Sequence, residues 1–330
     1  MPLDGALCRP LEAAALAVGR LDARFCASFC QDAWHHRSFM TGLAASLASR
    51  GVPLEEIDLF AAVSSTPLPR RPPSISADEA VAMLTEWRDI VAGSTSPHWR
   101  ELVVAPLDLP AGWLHRPALL QALALAAHHA HIGQRSDLPV LPQLLHSLGI
   151  TRAVLPSLAV TDRTWLTGPR DYPASARRMV RVLTAAADAG LKRLHRMELD
   201  HVRAERALAA QTRTGALRKV VALAGIDGVL VPRRVAVQLG LSISGAGKLL
   251  ARAATLGLLV EVSGRSSWRT YLVPDLARQF GYVEARRGRS ISPAMPAPAL
   301  DKTLADFDAE MAAIDAMLAR HGSTFRDPPD

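Results

Sequence analysis

Pro232-Arg-Arg-Val-Ala-Val-Gln-Leu-Gly-Leu-Ser-Ile-Ser-Gly-Ala-Gly-Lys-Leu-Leu-Ala251 is the stretch on which the fold turns. Its spacing predicts two short helices that meet at a tight turn. Val235 and Leu239 supply the inner face of the first helix, and the small Ala236 lets the second cross close by. Gly240 stands where the turn demands a positive φ, which glycine adopts without steric cost. Leu241 is expected to plug the turn. Ala246, Leu249 and Leu250 supply the inner face of the second helix. That helix then presents Ser242, Ser244, Gly247, Lys248 and Arg252 outward.

The flanks extend the pattern. Leu258-Leu-Val-Glu-Val262 reads as a strand, Ser263-Gly-Arg-Ser-Ser267 as a turn with a basic tip, and Trp268-Arg-Thr-Tyr-Leu-Val273 as the return strand. Upstream, Leu217 to Ala224 reads as a helix and Val229-Leu-Val231 as a short strand. Helix, strand, helix, helix and hairpin in that order predict a winged helix-turn-helix lying between about Gly215 and Arg289, with the domain itself at 215–285. Its expected partner is double-stranded DNA. The second helix would enter the major groove with Lys248 and Arg252 at base edges or phosphates, and Ser242 and Ser244 would allow close approach. Arg265 and Arg269 on the hairpin would meet phosphates or the minor groove.

Charge agrees with that partner. The 330-residue chain carries a net +7 and has a pI near 9.9. Between Gly215 and Ser290 stand twelve Lys/Arg against four Asp/Glu, a local +8 that exceeds the excess of the whole chain. Alanine and arginine abundance raises the total everywhere, so the location says more than the sum.

The remainder reads as helical. Apolar residues make up 49% and aromatics 5%, with alanine and leucine dominant; both are strong helix formers. Leu11, Ala14, Ala15, Val18, Leu21 and Phe25, then Phe39, Leu43 and Leu47, fall at helical spacing, predicting two helices across 10–50. Residues 64–75 are a Ser/Pro-rich loop, 77–91 a helix, and 93–117 irregular. The apolar run from Pro117 to His131 is too short to span a membrane and predicts a buried core helix. A helix near 142–148 ends at Gly149, and Ala174 to about Thr212 predicts one or two long helices with a charged outer face. The fold class expected is therefore mainly α: a helical domain over 1–205, the winged helix-turn-helix over 215–285, and a Pro-rich linker with an amphipathic helix over 286–330. In that last helix Leu300, Leu304, Phe307, Met311, Ile314 and Leu318 alternate in fours and threes. The 300–318 seam is a candidate homodimer contact, or packs on the protein's own body.

No apolar run reaches the roughly 20 residues of a membrane span, and the N-terminus lacks the pattern of a secretory signal. The expected location is cytoplasmic. Cys8, Cys26 and Cys30 are too few for a disulfide framework. Cys26 and Cys30, four apart with His35 and His36 behind them, admit a metal site, but read better as small buried thiols. His128, His129 and His131 read as the solvent-side end of a helix. With no phosphate-cradling glycine loop, G-x-S-x-G or H-E-x-x-H motif, neither enzymatic activity nor a cofactor or metal is expected.

Three stretches carry a family resemblance: Arg152-Ala-Val-Leu-Pro-Ser-Leu-Ala-Val160, Ala187-Asp-Ala-Gly-Leu-Lys192, and the winged region with Leu259-Val-Glu-Val-Ser-Gly-Arg265. On these the chain resembles an uncharacterised group of helix-turn-helix proteins common on rhizobial and other proteobacterial plasmids and chromosomes. The resemblance runs from about Leu119 to Val273 and implies an all-helical N-terminal domain of unknown role. The layout is also similar to that of Fic proteins, which often end in a winged helix; their H-P-F-x-x-G-N-G-R motif is absent here, which argues against adenylylation. The functional expectation is a transcriptional regulator that binds DNA. The alternative is a degenerate Fic-like or other protein-interaction module whose winged helix binds a protein.

Overall fold

The computed structural model describes residues 5–52, 54–66, 68–69, 71, 75–93, 115–131, 140–160, 172–212, 214–264 and 269–283, with Ala309 and Met317. Within them the chain is mainly helical and has one small antiparallel sheet of three strands. No described helix is long and apolar enough to cross a membrane. Residues 1–283 form one compact unit and 284–330 another. Ala309 and Met317 are helical, but the rest of the 300–318 seam lies outside the described residues.

The first core gathers around two long helices, α1 (Gly5–Cys26) and α7 (Tyr172–Ala209). Leu7, Leu11, Ala14, Val18, Leu21 and Phe25 line one stripe of α1. Met179, Val180, Leu183, Ala187, Leu194 and Met197 line the facing stripe of α7, at the three- and four-residue spacing that keeps side chains on one face of a helix. Two further helices complete the cluster, α5 (Ala118–His131) and α6 (Val140–Ser147). Between α1 and α2 (Gln31–Ser49) the chain breaks. Cys26 ends the first helix and Cys30 caps the second, so the two thiols do not share a helical face. Trp34 of α2 is fully buried and its indole N–H donates to the Gly190 carbonyl of α7 at 3.1 Å.

The second core belongs to both ends of the unit. It joins α2, α3 (Glu56–Val63) and α4 (Ile75–Gly93) to the elements after residue 204. Those elements are α8 (Gly215–Asp227), β1 (Val229–Leu230), α9 (Pro232–Leu239), α10 (Ile243–Thr255), β2 (Val260–Glu261), β3 (Tyr271–Leu272) and α11 (Pro274–Gln279). β3 lies between β1 and β2, antiparallel to each; Leu272 pairs with Val229 on one side and Val260 on the other. The strands are shorter than the spans 258–262 and 268–273 expected from periodicity. Gly228 joins α8 to β1 at φ 73°, and a Cβ there would come within 2.6 Å of Leu276 Cδ1 and 3.0 Å of Phe60 Cε1. Only glycine fits that junction.

Charged groups fasten the early helices of the 1–283 unit to its last elements. Arg37 of α2, 1% exposed, pairs with Asp275 of α11 at 2.9 Å and donates to the Ala224 carbonyl. Arg193 of α7 holds both oxygens of Glu56, which also accepts from the Gln279 amide of α11 at 3.2 Å. Arg234 of α9 donates to the Val63 carbonyl at 2.9 Å. The cluster of buried apolar residues therefore runs across the 205–215 stretch without a break.

Candidate nucleic-acid interface

The geometry of α9 and α10 follows from a few local residues. Pro232 occupies the first turn of α9, where its missing N–H costs nothing, after an extended Val231. Gly240 closes the helix in the left-handed region at φ 64°, and the Leu241 N–H returns to the Ala236 carbonyl at 2.9 Å. Ser242 caps α10: its hydroxyl accepts from the Gly245 N–H at 3.1 Å. Val235, Ala236, Ala246, Leu250 and Ala253 are buried between the helices and the body, while Leu239 and Leu249 are half-buried. Leu241 does not plug the turn. It is 38% exposed, and the backbone bond does the closing instead.

The expected site residues fall into three groups. Ser242, Ser244, Lys248 and Arg252 are exposed on α10 or at its cap. Lys248 and Ser244 have no partner among the described residues. Ser242 has already committed its hydroxyl to the cap. Arg252 leans toward the loop after α7, its guanidinium donating to Gln211 Oε1 and the Thr212 carbonyl, both at 3.4 Å. Bonds that long sit at the weak end of the range and release easily. Arg269 precedes β3 and is half-buried, with an Nε that is buried and without a partner among the described residues. Arg265 and the hairpin tip lie outside the described residues.

The local positive charge divides in two. Arg218 pairs with Glu205 at 2.6 Å, Arg234 with Asp227 at 3.0 Å, and Arg278 with Asp200. Glu205 and Asp200 lie upstream of residue 215, so counting charges over 215–290 overstates what faces outward. Burial pushes the Asp227 and Asp200 carboxyls up, and the neighbouring Arg234 and Arg278 pull them down. Lys219, Arg233 and Lys248, by contrast, are exposed and have no partner among the described residues. Lys219 and Arg233 were not among the expected site residues; the signal for them was the same basicity, but only the pairing of their neighbours singles them out.

Neither a family model nor a curated protein matches the chain. Function must therefore be argued from the chemistry of the surface itself.

Other polar features are less organised. Among the described residues no group of three or more His, Cys, Asp or Glu is arranged to hold a metal. Burial pushes the Cys30 thiol up to about 11, so it stays protonated and unreactive near neutral pH. His129 is buried rather than at a solvent-side helix end; the side chains of His128 and His131 lie outside the described residues. His36 accepts from Arg88 at 3.0 Å, and burial followed by the Arg88 charge lowers its pKa to about 4. A surface cavity of about 440 Å³ runs along α7 beside Asp188, Lys192, Arg193, Arg196 and Gln279. Its charge is mixed, and Arg193 and Gln279 are already engaged by Glu56.

Proposed function

We propose that residues 215–283 are a winged helix-turn-helix that binds double-stranded DNA, and that the protein is a cytoplasmic transcriptional regulator acting by binding rather than catalysis. The observation that carries this reading is the sorting of cations. Lys219, Arg233 and Lys248 are exposed and without a partner among the described residues, while Arg218, Arg234 and Arg278 of the same 215–283 segment are neutralised by carboxylates. Exposed cations without a carboxylate partner suit a polyanion, because each phosphate neutralised releases a counterion. The order of helices and strands and the left-handed Gly240 turn support the same reading. So does the resemblance to helix-turn-helix proteins of proteobacterial plasmids and chromosomes. A homodimer through the 300–318 helix would give such a protein two half-sites.

The second reading is a winged helix that binds a protein partner. Val237 at 79%, Ile243 at 60% and Leu241 at 38% exposure favour it, since exposed apolar residues mark contact surfaces. Gel shift of the full chain on random and genomic duplexes separates the two. Lys248→Ala and Arg265→Ala should each weaken the shifted band. If the wild type shifts no duplex, the DNA reading fails and the protein-binding one takes its place; variants that shift DNA as the wild type does would remove Lys248 and Arg265 from the interface.

A further inference from the structure

The side chains of α10 limit which bases it can read. In the major groove Asn and Gln pair with adenine, Asp and Glu accept from cytosine, Arg and Lys donate to guanine, and apolar side chains touch the thymine methyl. Residues 243–255 are Ile-Ser-Gly-Ala-Gly-Lys-Leu-Leu-Ala-Arg-Ala-Ala-Thr, with no Asn, Gln, Asp or Glu. Bidentate recognition of adenine by an amide and acceptance from cytosine by a carboxylate are therefore closed to this helix. In a helix-turn-helix the N-terminal residues of the second helix meet the base edges. Here the first helical residue is Ile243, 60% exposed.

Gly247 stands one turn further on the same strip. A Cβ built there meets nothing within 4 Å, and its φ is not in the left-handed region. Neither internal packing nor backbone conformation calls for glycine, and glycine inside a helix weakens it relative to alanine. A close approach from outside gives the missing reason. Lys248 beside it and Arg233 on the neighbouring helix supply the charge that a nucleic acid, rather than an apolar protein groove, would need.

We propose that Ile243 reads the 5-methyl group of a thymine in the major groove, with Gly247 as the flat that lets α10 sit close to the base edges. The inference rests on the DNA-binding reading. The test uses the full chain and the tightest duplex it selects from a random pool. Each thymine in the protected segment is replaced in turn by deoxyuridine, which lacks only the methyl. Wild type should lose about three- to tenfold in affinity at one position per half-site, the scale of one buried methyl contact. Ile243→Ala should bind the thymine and uracil duplexes alike. Gly247→Ala should raise the melting temperature and lower DNA affinity, a split that a merely structural glycine would not give. Tight binding that is indifferent to every uracil, a protected segment without thymine, or an Ile243→Ala protein that still discriminates would overturn the thymine contact alone. Failure of the wild type to select any duplex would overturn it together with the DNA-binding reading.

Discussion

The inward and outward sides of residues 215–283 use the same residue types to opposite ends. On the inward side arginine is a fastener. Arg37 reaches from α2 to Asp275, Arg278 meets Asp200, and Arg234 spans Asp227 and the Val63 carbonyl. On the outward side Lys219, Arg233 and Lys248 fasten nothing among the described residues. The lesson is that local basicity and outward charge are different quantities. On the proposed reading stability resides in the first set and recognition in the second, so substitutions should divide the same way.

The largest effect should come from Arg37→Ala. It strands the Asp275 carboxylate in a dry interface, and breaking a buried pair from one side costs about 3–5 kcal/mol. Urea denaturation should show that loss, and Arg37→Met with Asp275→Leu should recover much of it, because a matched apolar pair leaves no charge buried. A small change in the single variant would mean that the two sides are not divided as described.

Acid should loosen the same inward side. Burial, with the Arg88 charge, holds His36 neutral down to about pH 4, against an ordinary 6.5. The unfolded chain takes up that proton as pH falls below about 6.5, while the folded chain does so only near 4. Folding stability should therefore decline as pH is lowered through that window. Asp227 and Asp200, whose carboxyls burial pushes up, oppose the trend at its acid end. His36→Gln, which keeps an acceptor for Arg88 but cannot titrate, should reduce the decline between pH 6.5 and 5, leaving the part due to His35, whose pKa burial also lowers. An unchanged slope would place the titration elsewhere.

Outward substitutions should leave stability alone. Lys248→Ala should change unfolding free energy by no more than about 0.5 kcal/mol, as exposed sites do, yet lower DNA affinity by about tenfold, or roughly 1.4 kcal/mol. Arg218→Ala should be the smallest of the series. Its pair with Glu205 is largely exposed, and such pairs contribute about 0–1 kcal/mol. A Lys248→Ala protein that is unstable, or an Arg218→Ala protein that unfolds readily, would blur the inward and outward division.

What could be read from sequence was what neighbours in the chain decide. The Gly240 turn and the helices on either side follow from residues within a few positions of one another, and so do the stripes of α1 and α7. The helix α3 was not legible. It is eight residues long, and it begins with the Asp58 carboxylate accepting the Glu55 N–H instead of with a Ser or Thr cap. The six-residue α11, which begins at Pro274, was missed for the same reason of length. Cys26 and Cys30 fit one helical turn by spacing, and only the break at 27–30 separates them. Least legible was the partnering of charges. Arg278 finds Asp200 from 78 positions away and Arg37 finds Asp275 from 238. Those distances are set by the packing of both ends of the 1–283 unit into one core, so the outward set could not be told from the inward one beforehand.

Salt dependence of DNA binding tests the central claim most directly. Anisotropy of the full chain on a labelled duplex, titrated from 50 to 200 mM KCl, reads the number of phosphates neutralised. About five contacts, from Lys219, Arg233, Lys248, Arg252 and Arg265, predict a log–log slope near −4.5 and a loss of affinity on the order of 500-fold across that range. Absence of binding at 50 mM KCl, or an affinity that salt leaves unchanged, would contradict a DNA-binding surface built from these five cations.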